Sequence, residues 1–287
     1  MCNATIKLLS AAILSAALSA CGGPSEEQTA AQSLLDQAQQ LSQQGQYDDA
    51  TALLDSLCKA YPKQLDLVRE AMHAKAVVLE KVFTAQLAQA DSIIAEKMPI
   101  AEELGAKFKY VKTEDMVEGY KILASLERNP LVNRTGIEPR IDDGGNLYLF
   151  SLLHGVAAKH EKLGVSLKSD KTQRAETATV PYDDLRNYRF NDINDVSNET
   201  VTFYYDECAD FCQFITDNAS SNLNLTFSGK RDYTIALDKA TKQAIADSYR
   251  YSTAIRDGLA AEKQKLLLQK KIEVAQSQIA RTAPSGE

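Results

Sequence analysis

The sequence has no tryptophan, only three histidines and only five cysteines in 287 residues. The missing tryptophan removes the best stacking surface for sugars, although twelve tyrosines could do that work. So few cysteines cannot form a disulfide-dense scaffold, so a hydrophobic core has to hold the fold. No G-x-S-x-G, P-loop, dinucleotide or H-E-x-x-H signature occurs, which leaves the common nucleophile, phosphate, cofactor and zinc motifs without a representative. No apolar run reaches the ~20 residues that a membrane-spanning helix needs. Positive charge is also short. The formal net charge is −7, so the overall field does not draw the chain to nucleic acid, and none is expected as a partner.

What is present begins with an address. Lys7 is the only charge in the first twenty residues, and an alanine-rich apolar stretch follows from Leu8 to Leu18. A charged start, a short apolar middle and small residues at its end describe a secretory signal peptide, here residues 1–20. Its end, Leu18-Ser19-Ala20-Cys21, resembles the lipobox of bacterial lipoproteins at all four positions. The resemblance implies that the Cys21 thiol receives a diacylglycerol and that cleavage leaves Cys21 as the acylated N-terminus. Acylation of that kind holds a protein on a membrane. Gly22, where an aspartate would retain a lipoprotein at the inner membrane, implies the outer membrane, with the periplasmic face favoured over the cell surface.

Residues 21–32 read as a flexible tether. Gly45, Tyr47, Ala50 and Pro62 then fall at a spacing that resembles one tetratricopeptide repeat, with Leu54 and Leu57 on the inner face of its second helix and Cys58 packed beside them. A single copy predicts a helical hairpin and not a solenoid. Residues 65–97 step through apolar positions at helical spacing, and Pro99 is expected to end that helix. Residues 100–128 read as one or two shorter helices, with a break at Gly105 and a start at Thr113. The helical region is therefore 33–128.

From 129 to 237 the texture becomes that of short strands. Leu147–Leu153, Val165–Lys168, Thr177–Tyr182, Thr200–Tyr205, Asn222–Ser228 and Asp232–Leu237 predict a small antiparallel β-domain, with hairpin turns at Asp142-Asp143-Gly144-Gly145-Asn146 and Ser228-Gly229-Lys230-Arg231. Residues 238–281 predict one long helix with an apolar stripe through Ala244, Tyr251, Ile255, Leu259, Leu266, Ile272 and Ile279. A phase slip in that stripe suits a helix packing on another helix better than a strict coiled coil. Residues 282–287 read as a disordered tail. The fold class expected is α+β: an N-terminal helical hairpin and long helices, a β-domain inserted between them, and a C-terminal helix packing back antiparallel on the 65–97 helix as a stalk.

Chemistry is sparse. Cys208 and Cys212 would lie ~13 Å apart on a strand, so a disulfide between them needs a turn or helix there. A local disulfide, two free structural thiols, and metal or redox chemistry all stay open for this pair. His154 and His160 read as structural. Asp192, Asn194 and Asp195 resemble a calcium loop, but the glycine and closing glutamate of an EF-hand are missing, and Asx turns explain them as well. No catalytic, metal or cofactor set is assigned. These features point to a non-catalytic scaffold or partner-binding module anchored by lipid at Cys21, with an envelope protein as partner. In general style it resembles envelope lipoproteins of the Bacteroidetes. Two other readings are a lipid-anchored hydrolase of peptidoglycan or glycan with an acidic site in the β-domain, and a solute-binding lipoprotein with a cleft lined by Tyr182, Tyr188, Tyr204 and Tyr205.

Overall fold

The computed structural model describes residues 25–114, 117–183 and 185–283. The signal peptide and Cys21 lie outside them. The chain divides into two compact units: residues up to Val82 together with Ile272 onward, and Phe83–Lys271.

In the first unit, Ser25 caps helix α1 (Glu26–Gln43) by accepting a hydrogen bond from Gln28 N at 3.1 Å. Residues 26–32 of the expected tether are therefore helix. Gly45 then turns the chain at φ +77°, a conformation that costs other residues. Helix α2 (Tyr47–Ala60) returns against α1, and Ala50 is fully buried between them. Leu35, Leu54, Leu57, Leu67 and Ala71 form the core, with Cys58 packed on its edge. This is the single hairpin that the Gly-Tyr-Ala-Pro spacing predicts. Helix α3 starts at Leu65, and near its start His73 Nδ1 lies 3.2 Å from the Thr282 hydroxyl of helix α6 (Lys239–Thr282).

The second unit holds two antiparallel sheets. Strands β1 (Phe108–Val111), β2 (Tyr120–Leu123), β3 (Gly136–Ile141), β4 (Leu147–His154), β7 (Asn187–Asn191) and β8 (Ser197–Phe203) form one sheet in the order β1-β2-β3-β4-β8-β7. Strands β5 (Lys162–Leu167), β6 (Arg174–Glu176), β9 (Leu223–Ser228) and β10 (Tyr233–Leu237) form the other in the order β10-β9-β5-β6. A one-turn helix α4 (Ala124–Glu127) follows β2, and helix α5 (Tyr205–Asp217) follows β8. Alternation sorts the strands into two faces. Leu147, Leu149, Leu153, Val201 and Phe203 of the large sheet and Leu163, Val165, Leu225 and Phe227 of the small one point into a shared core with Phe211 and Ile215 of α5.

Three sequence expectations give way to tertiary packing. Helix α3 (Leu65–Gly105) runs straight through Pro99. The proline removes one helical hydrogen bond, but Ala101 and Leu104 beyond it are buried in the core of this unit, which keeps the last turns helical. Residues 108–111 and 120–123 are paired antiparallel strands where helix was expected. Phe108 stacks on Tyr251 at 4.8 Å, and Ile122 and Leu123 are buried, so the segment is recruited to the sheet edge. Residues 177–182 leave the ladder after β6, because the Thr177 hydroxyl accepts the Leu163 amide at 3.0 Å and Pro181 offers no donor.

The C-terminal helix packs on α3 in a strict heptad rather than along the stripe its large residues suggest. Tyr251 meets Gly105, Gly258 meets Met98 and Lys265 meets Asp91 at 2.7 Å, stepping by seven in opposite directions. The seam is built of small residues. A β-carbon on Gly258 would stand 2.5 Å from Met98 Sδ, so the glycine is what lets the helices close. Ala254, Ala261 and Leu268 are buried, whereas Leu259 and Leu266 are 45% and 63% exposed.

Candidate functional site

The core of the second unit contains a serine, a histidine and a glutamate in catalytic order. Ser151 of β4 lies with Oγ 3.0 Å from His160 Nε2, and His160 Nδ1 lies 3.0 Å from Glu199 Oε2 of β8. The proton logic runs against catalysis. The Ser151 hydroxyl donates its single hydrogen to the Val201 carbonyl at 3.0 Å. Its oxygen then meets His160 Nε2 as an acceptor, while the other ring nitrogen, Nδ1, faces the Glu199 carboxylate. A nucleophilic serine needs the opposite polarity, with Nε2 free to take its proton. All three residues are sealed from solvent. His160 packs edge-on against Phe227 at 5.3 Å, and its carbonyl accepts from Asn187 Nδ2. The group fastens the loop before β5 to both sheets.

Glu199 is the centre of that fastening. Its carboxylate accepts from Lys159 N at 2.7 Å, from His160 N at 2.8 Å and from His160 Nδ1. Burial alone would raise its pKa, but these hydrogen bonds outweigh burial and hold it below the ordinary glutamate value. Gly229 closes the fit from the small sheet, since a β-carbon there would stand 2.1 Å from the Lys159 carbonyl oxygen.

Cys208 and Cys212 sit one turn apart on the buried face of α5, and both are free thiols. The local disulfide that their helical setting would permit is not formed. Cys208 Sγ donates to the Phe203 carbonyl at 3.7 Å. Burial first, and then contact with Cys208, push the Cys212 thiol well above its usual pKa. Thiolate is the reactive form. Iodoacetamide at pH 8 is therefore expected to leave Cys212 unmodified in the folded protein and to label it fully after denaturation, as read by peptide mass spectrometry.

The surface that is accessible lies on the outer side of the large sheet. Tyr120, Arg140, Tyr148, Phe150, Thr200 and Thr202 face outward there, and all are half-buried. The Arg140 guanidinium is held between the rings of Tyr120 and Phe150, at 4.4 and 4.5 Å, with Glu138 accepting from it at 2.8 Å. Tyr188 and Phe190 extend the face, stacked at 5.4 Å and 44% and 39% exposed. At one end the face drops into an open cleft of about 530 Å³ lined by Tyr148, Thr202, Tyr204, Tyr205, Asp206, Glu118 and Arg256. Burial pushes the Tyr148 phenol up to about 12 in spite of the nearby Arg140 charge, so it stays a neutral donor and acceptor. Arg256 covers the Tyr205 ring at 3.5 Å, and Arg186 covers Tyr204 at 4.9 Å while forming two bonds to Glu207.

Of the residues singled out in the sequence, Tyr204 and Tyr205 line this cleft, Tyr188 lies on the sheet face, and Tyr182 lies beneath the Arg189 guanidinium at 4.5 Å. His154 bonds Asn198 at 2.9 Å, as a structural histidine would. Asp192 accepts from Asn194 N and Val196 N, and Asp142 from Asn146 N, so these are Asx-type turns. Among the described residues no three His, Cys, Asp or Glu side chains converge as metal ligands, and no helix is long and apolar enough to cross a membrane. Ser151, Glu199 and the Arg140 stack are absent from any motif. Ser151 and Phe150 have a faint signal in the two-residue alternation of "LYLFSLLH", and Glu199 and Arg140 have none there. No family model, curated protein or solved structure matches the chain.

Proposed function

We propose that this chain is a lipid-anchored protein of the bacterial cell envelope, held in the outer membrane through Cys21, and that it binds a partner protein without catalysis. The observation that carries the binding role is the outer face of the large sheet. Aromatic rings, an arginine and threonine hydroxyls share one open surface there, a composition enriched at protein interfaces. A glycosidase reading draws no support from the following carboxylates, of which Asp142 lines the cleft and the others lie elsewhere in the unit. Asp142 is committed to its turn, and Asp170, Glu176, Asp183, Glu199 and Asp238 are shifted down, the wrong direction for a general acid. A cationic lysine at Thr202, in the middle of the face, should block docking while leaving the inner core untouched.

The test is cross-linking in intact cells followed by mass spectrometry of the purified chain, comparing the unaltered protein with Thr202→Lys. One stoichiometric envelope partner, reduced at least tenfold by Thr202→Lys at equal protein level, is the expected result. Equal recovery from both forms would overturn the site. The anchor is tested separately: Cys21→Ser should abolish labelling by radioactive palmitate, and continued labelling would overturn the lipid assignment.

A further inference from the structure

Strand β7 is an edge of the large sheet, and it is unusually open. Alternation of the antiparallel ladder decides which backbone groups face outward. Thr202 N donates to the Arg186 carbonyl, and Asp192 N donates to the Val196 carbonyl, so residues 186, 188, 190 and 192 bond toward β8. Residues 187, 189 and 191 then point away from the sheet. Asn187 is already satisfied, because Asp183 takes its amide at 2.9 Å and bonds its carbonyl. The amides and carbonyls of Arg189 and Asn191 have no partner among the described residues. Natural edges are protected by proline, lysine or a bulge. β7 has none of these in Asn-Tyr-Arg-Phe-Asn, and its one cation lies back over the Tyr182 ring. Asx bonds at Asp183 and Asp192 brace the strand at both ends.

We propose that β7 pairs with β7 of a second copy of this chain, antiparallel and centred on Phe190, joining two sheets into one. The open backbone sites fix the register. A two-fold axis through Phe190 sets Arg189 opposite Asn191 of the other copy, and Asn191 opposite Arg189, which satisfies all four open groups on each strand. Charge selects the same occupant. Arg186 and Arg189 stand toward the start of the segment, each also near an acid of its own chain (Glu207 and Glu161), and Asp192 and Asp195 stand toward its end. Antiparallel self-pairing lays each basic end along an acidic one and keeps the two Arg189 side chains out of register. The Phe190 rings meet in the non-hydrogen-bonded position, where facing side chains come closest. Tyr188 falls opposite Asp192 and far from its own copy. The dimer's backbone bonds involve neither the lipid nor Thr202, and Phe190 lies at the outer edge of the same face.

Disulfide trapping in the full-length chain reads the register directly. Facing residues at a non-hydrogen-bonded antiparallel position have α-carbons about 4.5 Å apart, within disulfide range. Phe190→Cys, oxidised with copper phenanthroline in native membranes, should give at least tenfold more disulfide-linked homodimer than the unaltered chain. Tyr188→Cys should give no increase. Adding Asn191→Pro, which removes an outward amide at an edge where proline is tolerated, should abolish the Phe190→Cys dimer. Equal linkage at 188 and 190, no linkage at 190, linkage that survives Asn191→Pro, or linkage to a different polypeptide would each overturn the proposal.

Discussion

Glu199→Gln is expected to destabilise the protein by about 3–5 kcal/mol, because it leaves buried donors without an acceptor at about 1–3 kcal/mol each. The wild-type carboxylate collects three donors from Lys159 and His160. A glutamine offers one acceptor oxygen, and its amide hydrogens would face backbone N–H groups that need acceptors. His160, still buried, would lose the carboxylate at its Nδ1. Ser151→Ala should cost less, about 1–3 kcal/mol, because it removes the contacts to His160 and Val201 but leaves the Glu199 carboxylate with its three donors. Chemical denaturation of the two variants measures both. A hydrolase would show the reverse emphasis, with serine loss silencing reactivity toward a fluorophosphonate probe. Here the unaltered protein should fail to react with that probe at all, because the oxygen is sealed and its hydrogen is committed to Val201.

The same carboxylate sets an acid limit. Its pKa is depressed in the folded state, so the stabilisation it provides is complete above its ordinary value of 4.5 and is lost as pH falls through the lower folded value. Unfolding midpoints in urea should be flat from pH 7 to about pH 5 on this account and fall below that. In Glu199→Gln the acid-side fall should be shallower by about one proton's worth of slope.

Some of this architecture was legible in the sequence for definite physical reasons. Glycine at 45, alanine at 50 and proline at 62 each have one structural meaning in a helical hairpin, and the hairpin is there. β4, β5, β8, β9 and β10 were readable because their apolar residues alternate and turn residues bound them. β1 and β2 were not, since Phe108 and Ile122 become strand residues only by packing on α6 and the sheet. The buried Ser-His-Glu group was invisible for a different reason. Its members are 9 and 39 residues apart along the chain, and only the pairing of β4 with β8 brings them together. The open face of the large sheet was hidden because Tyr148, Phe150 and Thr202 look like ordinary strand residues until the sheet shows which side is left open. The proposed anchor at Cys21 is the opposite case, since its whole argument lies in four consecutive residues.

The C-terminal helix shows how hydrophobicity misleads when a seam is made of small residues. Large apolar residues select Leu259 and Leu266 as the contact stripe, while the packed heptad runs through Ala254, Gly258, Ala261 and Leu268. Leu268→Ala is therefore expected to cost about 2–5 kcal/mol, as a buried leucine does when the space it leaves cannot fully close. Leu266→Ala should stay within about 0.5 kcal/mol of the unaltered protein, because its side chain is already 63% exposed. If the stripe read from the large residues were the seam, the two costs would exchange places. Thermal or urea unfolding of this pair of variants decides between the two geometries, because both substitutions remove the same atoms from the same helix two residues apart. Alanine raises helix propensity slightly at each site by the same amount, so that contribution cancels in the comparison. The difference that remains is burial against α3, where a glycine at 258 and alanines at 254 and 261 let two backbones approach closely enough for Leu268 to be covered.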